Sequence, residues 1–89
     1  MAVTAHFFVY GRVQGVFFRA ATRQQARLFS LGGWVRNTPD GRVEGMVSGE
    51  AAQLAEFHTW LQKGPELARV LKVEWELVED QQFDGFKVG

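Results

Sequence analysis

Residues 4–29 read Thr4-Ala-His-Phe-Phe-Val-Tyr-Gly-Arg-Val-Gln-Gly-Val-Phe-Phe-Arg-Ala-Ala-Thr-Arg-Gln-Gln-Ala-Arg-Leu-Phe29, and the hydrophobic period changes partway along them. The run from Thr4 to Tyr10 is β-branched and aromatic and stops at Gly11, which predicts a strand. Alternation sets Ala5, Phe7 and Val9 on one face and His6, Phe8 and Tyr10 on the other. From about Phe18 to Phe29, apolar and small residues at 18, 22, 25/26 and 29 recur at helical spacing, with Arg23, Gln24 and Arg27 outside the stripe. Gly32-Gly33 is the expected stop. A strand, a glycine-containing loop and a helix therefore open the chain.

The loop, Gly11 to Arg19, breaks two local rules. Arg19 stands at a helix N-terminus, where a cation is disfavoured by roughly 0.3–1 kcal/mol. No Ser, Thr, Asp or Asn precedes the helix to cap its free N–H groups. Exposed amides, the helix dipole and a guanidinium together suit an anion, phosphate above all. The residues also allow a tight turn with Arg19 extended into solvent, though the local physics favours the anion.

Outward from this stretch, Gly33 to Asn37 predicts a second strand carrying Trp34 and Val35. Thr38-Pro39-Asp40-Gly41 is a turn signal, and Arg42 to Ser48 resumes strand character, giving an antiparallel hairpin. A helix follows over about 51–63, with Leu54, Phe57, His58 and Leu61 on its apolar face and Gly64-Pro65 as its end. Residues 69–78 alternate, Leu71, Val73, Trp75 and Leu77 against Lys72, Glu74 and Glu76, so they predict a strand with one buried and one wet face. Gly85 to Val88 predicts a short closing strand. The three tryptophans read as core. The order β-α-β-β-α-β predicts an α+β, ferredoxin-like sandwich: an antiparallel sheet, two helices on one face and a short extra C-terminal strand. The 89 residues are expected to form one domain, 1–89.

Composition narrows the function. There is no cysteine, which removes disulfides and thiolate metal sites, and two histidines far apart in sequence do not make a metal site. No apolar run reaches membrane-spanning length and no signal peptide is visible, so a cytoplasmic protein with no membrane partner is expected. Zero net charge argues against nucleic acid. Charge is nevertheless uneven: residues 1–42 hold six arginines and one acid, Asp40, which favours an anion near the loop. The loop lacks the Lys-Ser/Thr of a nucleotide P-loop. No nucleophile–base pair is apparent; His58 reads as a packed histidine and His6 as a sheet residue. Asn37, read by itself, is an ordinary asparagine entering a turn.

Two segments carry a resemblance. Val9-Tyr-Gly-Arg-Val-Gln-Gly-Val-Phe-Phe-Arg19 closely resembles the first signature of the acylphosphatases. Gly33-Trp-Val-Arg-Asn-Thr-Pro-Asp-Gly-Arg-Val-Glu-Gly-Met-Val-Ser-Gly49 resembles the second, in the right order and at the expected separation. Weaker similarity runs through Trp60-Leu61, Gly64-Pro65, Ala68-Arg69-Val70 and the final Phe-Lys-Val. Ser30 departs from a glycine that often ends the first helix in relatives, and Ala21 from a larger aromatic; both concern capping and packing.

The resemblance implies metal-independent hydrolysis of the carboxyl–phosphate bond of acyl phosphates, with no cofactor. It implies that Arg19 binds the phosphate, that Asn37 orients the attacking water, and that the backbone amides of Gly15, Val16, Phe17, Phe18 and Arg19 complete the cradle. The expected partners are a small acyl phosphate and inorganic phosphate, the latter as product and competitive ligand; the expected state is a monomer. The alternative is a non-catalytic ferredoxin-like anion- or RNA-binding module, with His6, Phe8 and Tyr10 as a stacking platform. The third strand, however, lacks the aromatics of RNA-recognition domains.

Overall fold

The computed structural model describes residues 2–89. The elements run β1 (Ala2–Arg12), α1 (Phe18–Leu28), β2 (Gly32–Asn37), β3 (Val43–Glu50), α2 (Ala51–Lys63), β4 (Arg69–Val78) and β5 (Phe86–Val88). The sheet order is β4-β1-β3-β2-β5. The first four strands pair antiparallel, and β5 adds parallel to β2, so the extra strand makes the sheet mixed. Parallel addition follows from the long return across the sheet: β5 comes back to the far edge rather than through a hairpin.

One face of the sheet is the core. Ala5, Phe7, Val9, Val35, Val43 and Val47 are fully buried on it. Both helices cover this face, α1 over β2 and β5, α2 over β4, β3 and β1. Phe18 and Ala26 of α1 and Leu54, Phe57 and Leu61 of α2 complete the cluster. Each fully buried large side chain contributes about 1.5–3 kcal/mol. No helix among the described residues is long and apolar enough to cross a membrane.

Several boundaries differ from the sequence expectation, each for a physical reason. Gly11 and Arg12 belong to β1, not to the loop. The β1–β4 register shifts between Tyr10 and Gly11, and a Cβ on Gly11 would stand 2.1 Å from the Arg69 carbonyl oxygen. Gly11 therefore serves a bulge in the sheet. The same bulge breaks the alternation of β4. Tyr10 pairs with Lys72 and Gly11 with Val70, which leaves Leu71 as the extra residue. Val70 packs against the core instead, and Leu71 is exposed, as is Leu77. The buried side of β4 is thus Val70, Val73 and Trp75.

Helix α1 is not stopped by Gly32-Gly33, which lie in β2. It ends at Ser30, whose φ is +57°. The Ser30 N–H bonds the Arg27 carbonyl at 3.1 Å and the Leu31 N–H reaches back to Ala26 at 2.8 Å, the paired bonds of a Schellman ending. Of the tryptophans, Trp60 and Trp75 pack on the core. Trp34 does not: it alternates with buried Gly33 and Val35 onto the helix-free face, where the Arg36 guanidinium lies 6.0 Å from its ring.

Candidate active site

The segment between β1 and α1 is short, and its main chain bonds little to the rest of the chain. Phe17 sits at the start of α1 with φ 60° and ψ 25°, a left-handed conformation that costs a non-glycine residue about 1–2 kcal/mol. No side chain caps the helix, and its first turn carries no acid. The first intrahelical bond is Ala21 N–H to the Phe17 carbonyl, at 3.0 Å. Among the described residues, no hydrogen bond uses the N–H groups of Gly15, Val16, Phe17, Phe18, Arg19 or Ala20. Gly15 has φ +74° and open space where a Cβ would stand. These free donors add to the positive end of the α1 dipole.

Arg19 lies in the first turn and its Nη1 donates to the main-chain oxygen of Gly89, just beyond β5. The Gly89 N–H in turn bonds the Val35 carbonyl at 2.8 Å, which ties this end of the chain to β2.

Asn37 is the last residue of β2 and pairs with Val43 across the hairpin. Alternation gives it the same face as Gly33 and Val35, so its side chain lies on the side of α1. Its Oδ1 is buried and has no hydrogen-bond partner among the described residues. Such an oxygen costs about 1–3 kcal/mol unless a donor arrives from outside. Asn37 and Arg19 border one cleft of about 310 Å³, together with Gly15, Phe17 and Phe18. Val13, Ala20 and Val88 supply the rest of its wall. Of the residues singled out in the sequence, Val16 stands apart: its side chain is buried in the core, and only its main chain belongs to the loop.

The turn after Asn37 is internally braced. The Thr38 N–H bonds the Arg42 carbonyl at 2.9 Å and the Arg42 N–H bonds Thr38 Oγ1 at 3.0 Å. Thr38 Oγ1 also donates to Asp40, whose carboxylate accepts from Arg42 Nε at 2.9 and 3.1 Å. The Arg42 and Thr38 hydrogen bonds hold the Asp40 carboxyl down at a pKa of about 2. Gln14 joins this turn to the loop. Its Nε2 donates to the carbonyls of Thr38 at 2.9 Å and Arg42 at 2.8 Å. Gln14 was not among the residues singled out in the sequence; the available signal was a long carboxamide in a loop of glycine and apolar residues.

Neither histidine borders the cleft. His6 lies on the open sheet face, 2.7 Å from Glu44 Oε2. His58 stacks on the Trp75 ring with centroids 4.2 Å apart. No group of three or more His, Asp or Glu among the described residues could hold a metal ion. What the cleft offers is a row of unpaired donors, one guanidinium and one carboxamide, an arrangement suited to a tetrahedral oxyanion and an uncharged nucleophile.

The comparisons with known proteins agree with that chemistry. The acylphosphatase family model matches residues 5–88. An acylphosphatase of Nitrosococcus oceani is 44% identical over 99% of this chain and 99% of its own. One of Marinobacter nauticus is 51% identical over 92% of this chain and 90% of its own. The solved structure of an acylphosphatase from Coxiella burnetii superposes with a TM-score of 0.96 at 38% identity, covering 99% of this chain and 93% of that one. In sequence from end to end, and in fold, this chain belongs to the acylphosphatase family, hydrolases acting on acyl phosphates.

Proposed function

We propose that the cleft at the start of α1 is where acyl phosphates are hydrolysed, with Arg19 and Asn37 as its catalytic residues. The phosphoryl group rests on the main-chain N–H groups of Gly15, Val16, Phe17, Phe18 and Arg19, with the Arg19 guanidinium against its oxygens. Asn37 holds a water through its carboxamide. The observation that carries this reading is the buried, partnerless Asn37 Oδ1 in the same cleft as Arg19 and the free amides.

The reaction forms a bond from the water oxygen to phosphorus and breaks the bond from phosphorus to the carboxyl oxygen. The electron pair leaves with the carboxylate, and the water proton passes to a phosphate oxygen, giving carboxylate and inorganic phosphate. A carboxylic acid has a pKa of about 4, so its anion departs without a general acid. Phosphoryl transfer has a loose transition state, in which position and charge stabilisation matter more than a strong base. Asn37 cannot deprotonate the water and need not. Arg19 and the helix terminus supply the positive charge, so neither metal nor cofactor enters.

We further infer a cytoplasmic monomer of one domain, 1–89, that takes small acyl phosphates, is inhibited competitively by inorganic phosphate and does not bind nucleic acid. Against the RNA-binding alternative, the open-face rings are already occupied. Arg42 lies 4.2 Å from the Phe8 ring and Lys72 4.8 Å from the Tyr10 ring, and Tyr10 donates to Glu74 at 2.6 Å. A base would have to displace paired charges to stack there.

The test is hydrolysis of benzoyl phosphate followed by ultraviolet absorbance, with and without a chelator. Turnover is expected to persist in chelator, to be inhibited competitively by inorganic phosphate, and to be nearly lost in Arg19→Ala and Asn37→Ala. Full turnover in either variant removes that residue's role. Loss in chelator removes the metal-free route. Tight binding of single-stranded RNA without hydrolysis would restore the alternative.

A further inference from the structure

Gln14 is a half-buried amide that the chemistry above leaves unused. It does not line the cleft and so touches no reacting atom. Both protons of its Nε2 are spent on two carbonyls, those of Thr38 and Arg42, at 2.9 and 2.8 Å. With two acceptors facing one nitrogen, the orientation of the amide is determined by its partners. Those carbonyls bracket the turn: Thr38 directly follows Asn37, and Arg42 directly precedes Val43, the residue paired with Asn37.

The strap spans a gap that the sheet leaves open. The loop continues β1 and Asn37 ends β2, and these strands are not neighbours, since β3 lies between them. Ladders through β3 set Val9 and Asn37 on either side of Val43, but residues 13–17 lie past the end of β1, and no ladder carries that spacing on to the loop. Among the described residues, the Gln14 bonds are the side-chain hydrogen bonds that join residues 13–17 to residues 37–43. The turn itself is also braced by bonds between Thr38 and Arg42 that do not involve Gln14.

The geometry points to Gln14 as a positioning residue that holds Asn37 at the right distance and angle from the phosphate cradle, so that the water on Asn37 stands in line with phosphorus. This rests on the water-holding role of Asn37 proposed above. Displacement of a reacting group by about 1 Å costs roughly 100-fold in rate. The cradle lies on the loop and α1, on the other side of the strap, so phosphate binding is expected to survive.

The experiment uses Gln14→Met, of similar length without donors, and Gln14→Glu, of the same shape with acceptors only, each alone and combined with Asn37→Ala. Readouts are kcat and KM for benzoyl phosphate, the inhibition constant of inorganic phosphate, and the urea midpoint. Both Gln14 variants are expected to lower kcat about 10- to 100-fold. The phosphate inhibition constant is expected to stay within about twofold, and the added loss in the Asn37→Ala background to stay below about twofold. Unchanged kcat overturns the inference. So does phosphate binding that weakens in parallel with kcat, multiplication of the two losses in the double variant, or unfolding of both Gln14 variants, each of which assigns Gln14 another role. The two readings fail separately: an impaired Asn37→Ala beside a fully active Gln14→Met removes only the strap, whereas a fully active Asn37→Ala removes the water-holding role as well.

Discussion

Asn37, proposed above to hold the attacking water, stands out by what it costs. Among the described residues its Oδ1 is the one buried side-chain polar atom without a partner, so the site is unfavourable by about 1–3 kcal/mol until a donor arrives. Replacing the side chain removes that cost together with the water it would hold. Asn37→Ala is therefore expected to leave the urea midpoint equal or raised while turnover of benzoyl phosphate collapses; a lowered midpoint would mean that Oδ1 contributes to the fold. By its local chemistry Asn37 reads as any asparagine before a turn, because an unsatisfied atom is defined by its surroundings; only the family resemblance points to it in the sequence. Arg19 was legible earlier, since a cation at an uncapped helix start violates a rule that holds within a few residues.

At the scale of elements, α1 is held in place by two non-glycine residues in left-handed backbone, Phe17 at its start and Ser30 at its end. Ser30 makes the Schellman bonds but pays for a Cβ in that conformation. Ser30→Gly is expected to stabilise the protein by about 0.5–1 kcal/mol with kcat unchanged, read from urea unfolding. Helix α2 meets β4 through His58 stacked on Trp75, and partial burial pushes the imidazole below its ordinary 6.5. The unfolded chain then binds the proton more readily than the folded one, so this contribution is complete above pH 6.5 and is lost as pH falls below that value through the lower pKa of the folded state. The urea midpoint is expected to decline over that range, and His58→Phe, which keeps the stack, to remove this decline. The periodicity of α2 was readable because a helix stripe depends on local spacing. The exposure of Leu71 was not, because a bulge against β1 is a property of two strands.

In the whole molecule, the helices press on one sheet face, and room there is limited. A Cβ on Gly45, in β3, would lie 2.4 Å from the Phe7 ring and 2.6 Å from the Trp34 carbonyl oxygen. Gly45→Ala is expected to cost about 1–3 kcal/mol, seen as a lowered urea midpoint, with the phosphate inhibition constant of the folded fraction unchanged. Thr4 closes the opposite end: its hydroxyl contacts Ser48 Oγ at 3.0 Å and Asp80 Oδ1 at 2.9 Å and accepts from the Gln81 N–H at 3.0 Å, pinning the connection that leads to β5. That connection delivers Gly89 beside Arg19 and makes the outermost strand parallel. The element order, the two helix stripes, the hairpin turn and the uncapped helix start with its arginine all follow from residues near one another in the chain, so they were written in the amino-acid order alone. The shared cleft of Arg19 and Asn37, the Gln14 bonds from the loop to the hairpin turn, the bulge at Gly11 and the open-face position of Trp34 required strands distant in sequence to pair in one register, because local spacing carries no information about which surfaces come to face each other.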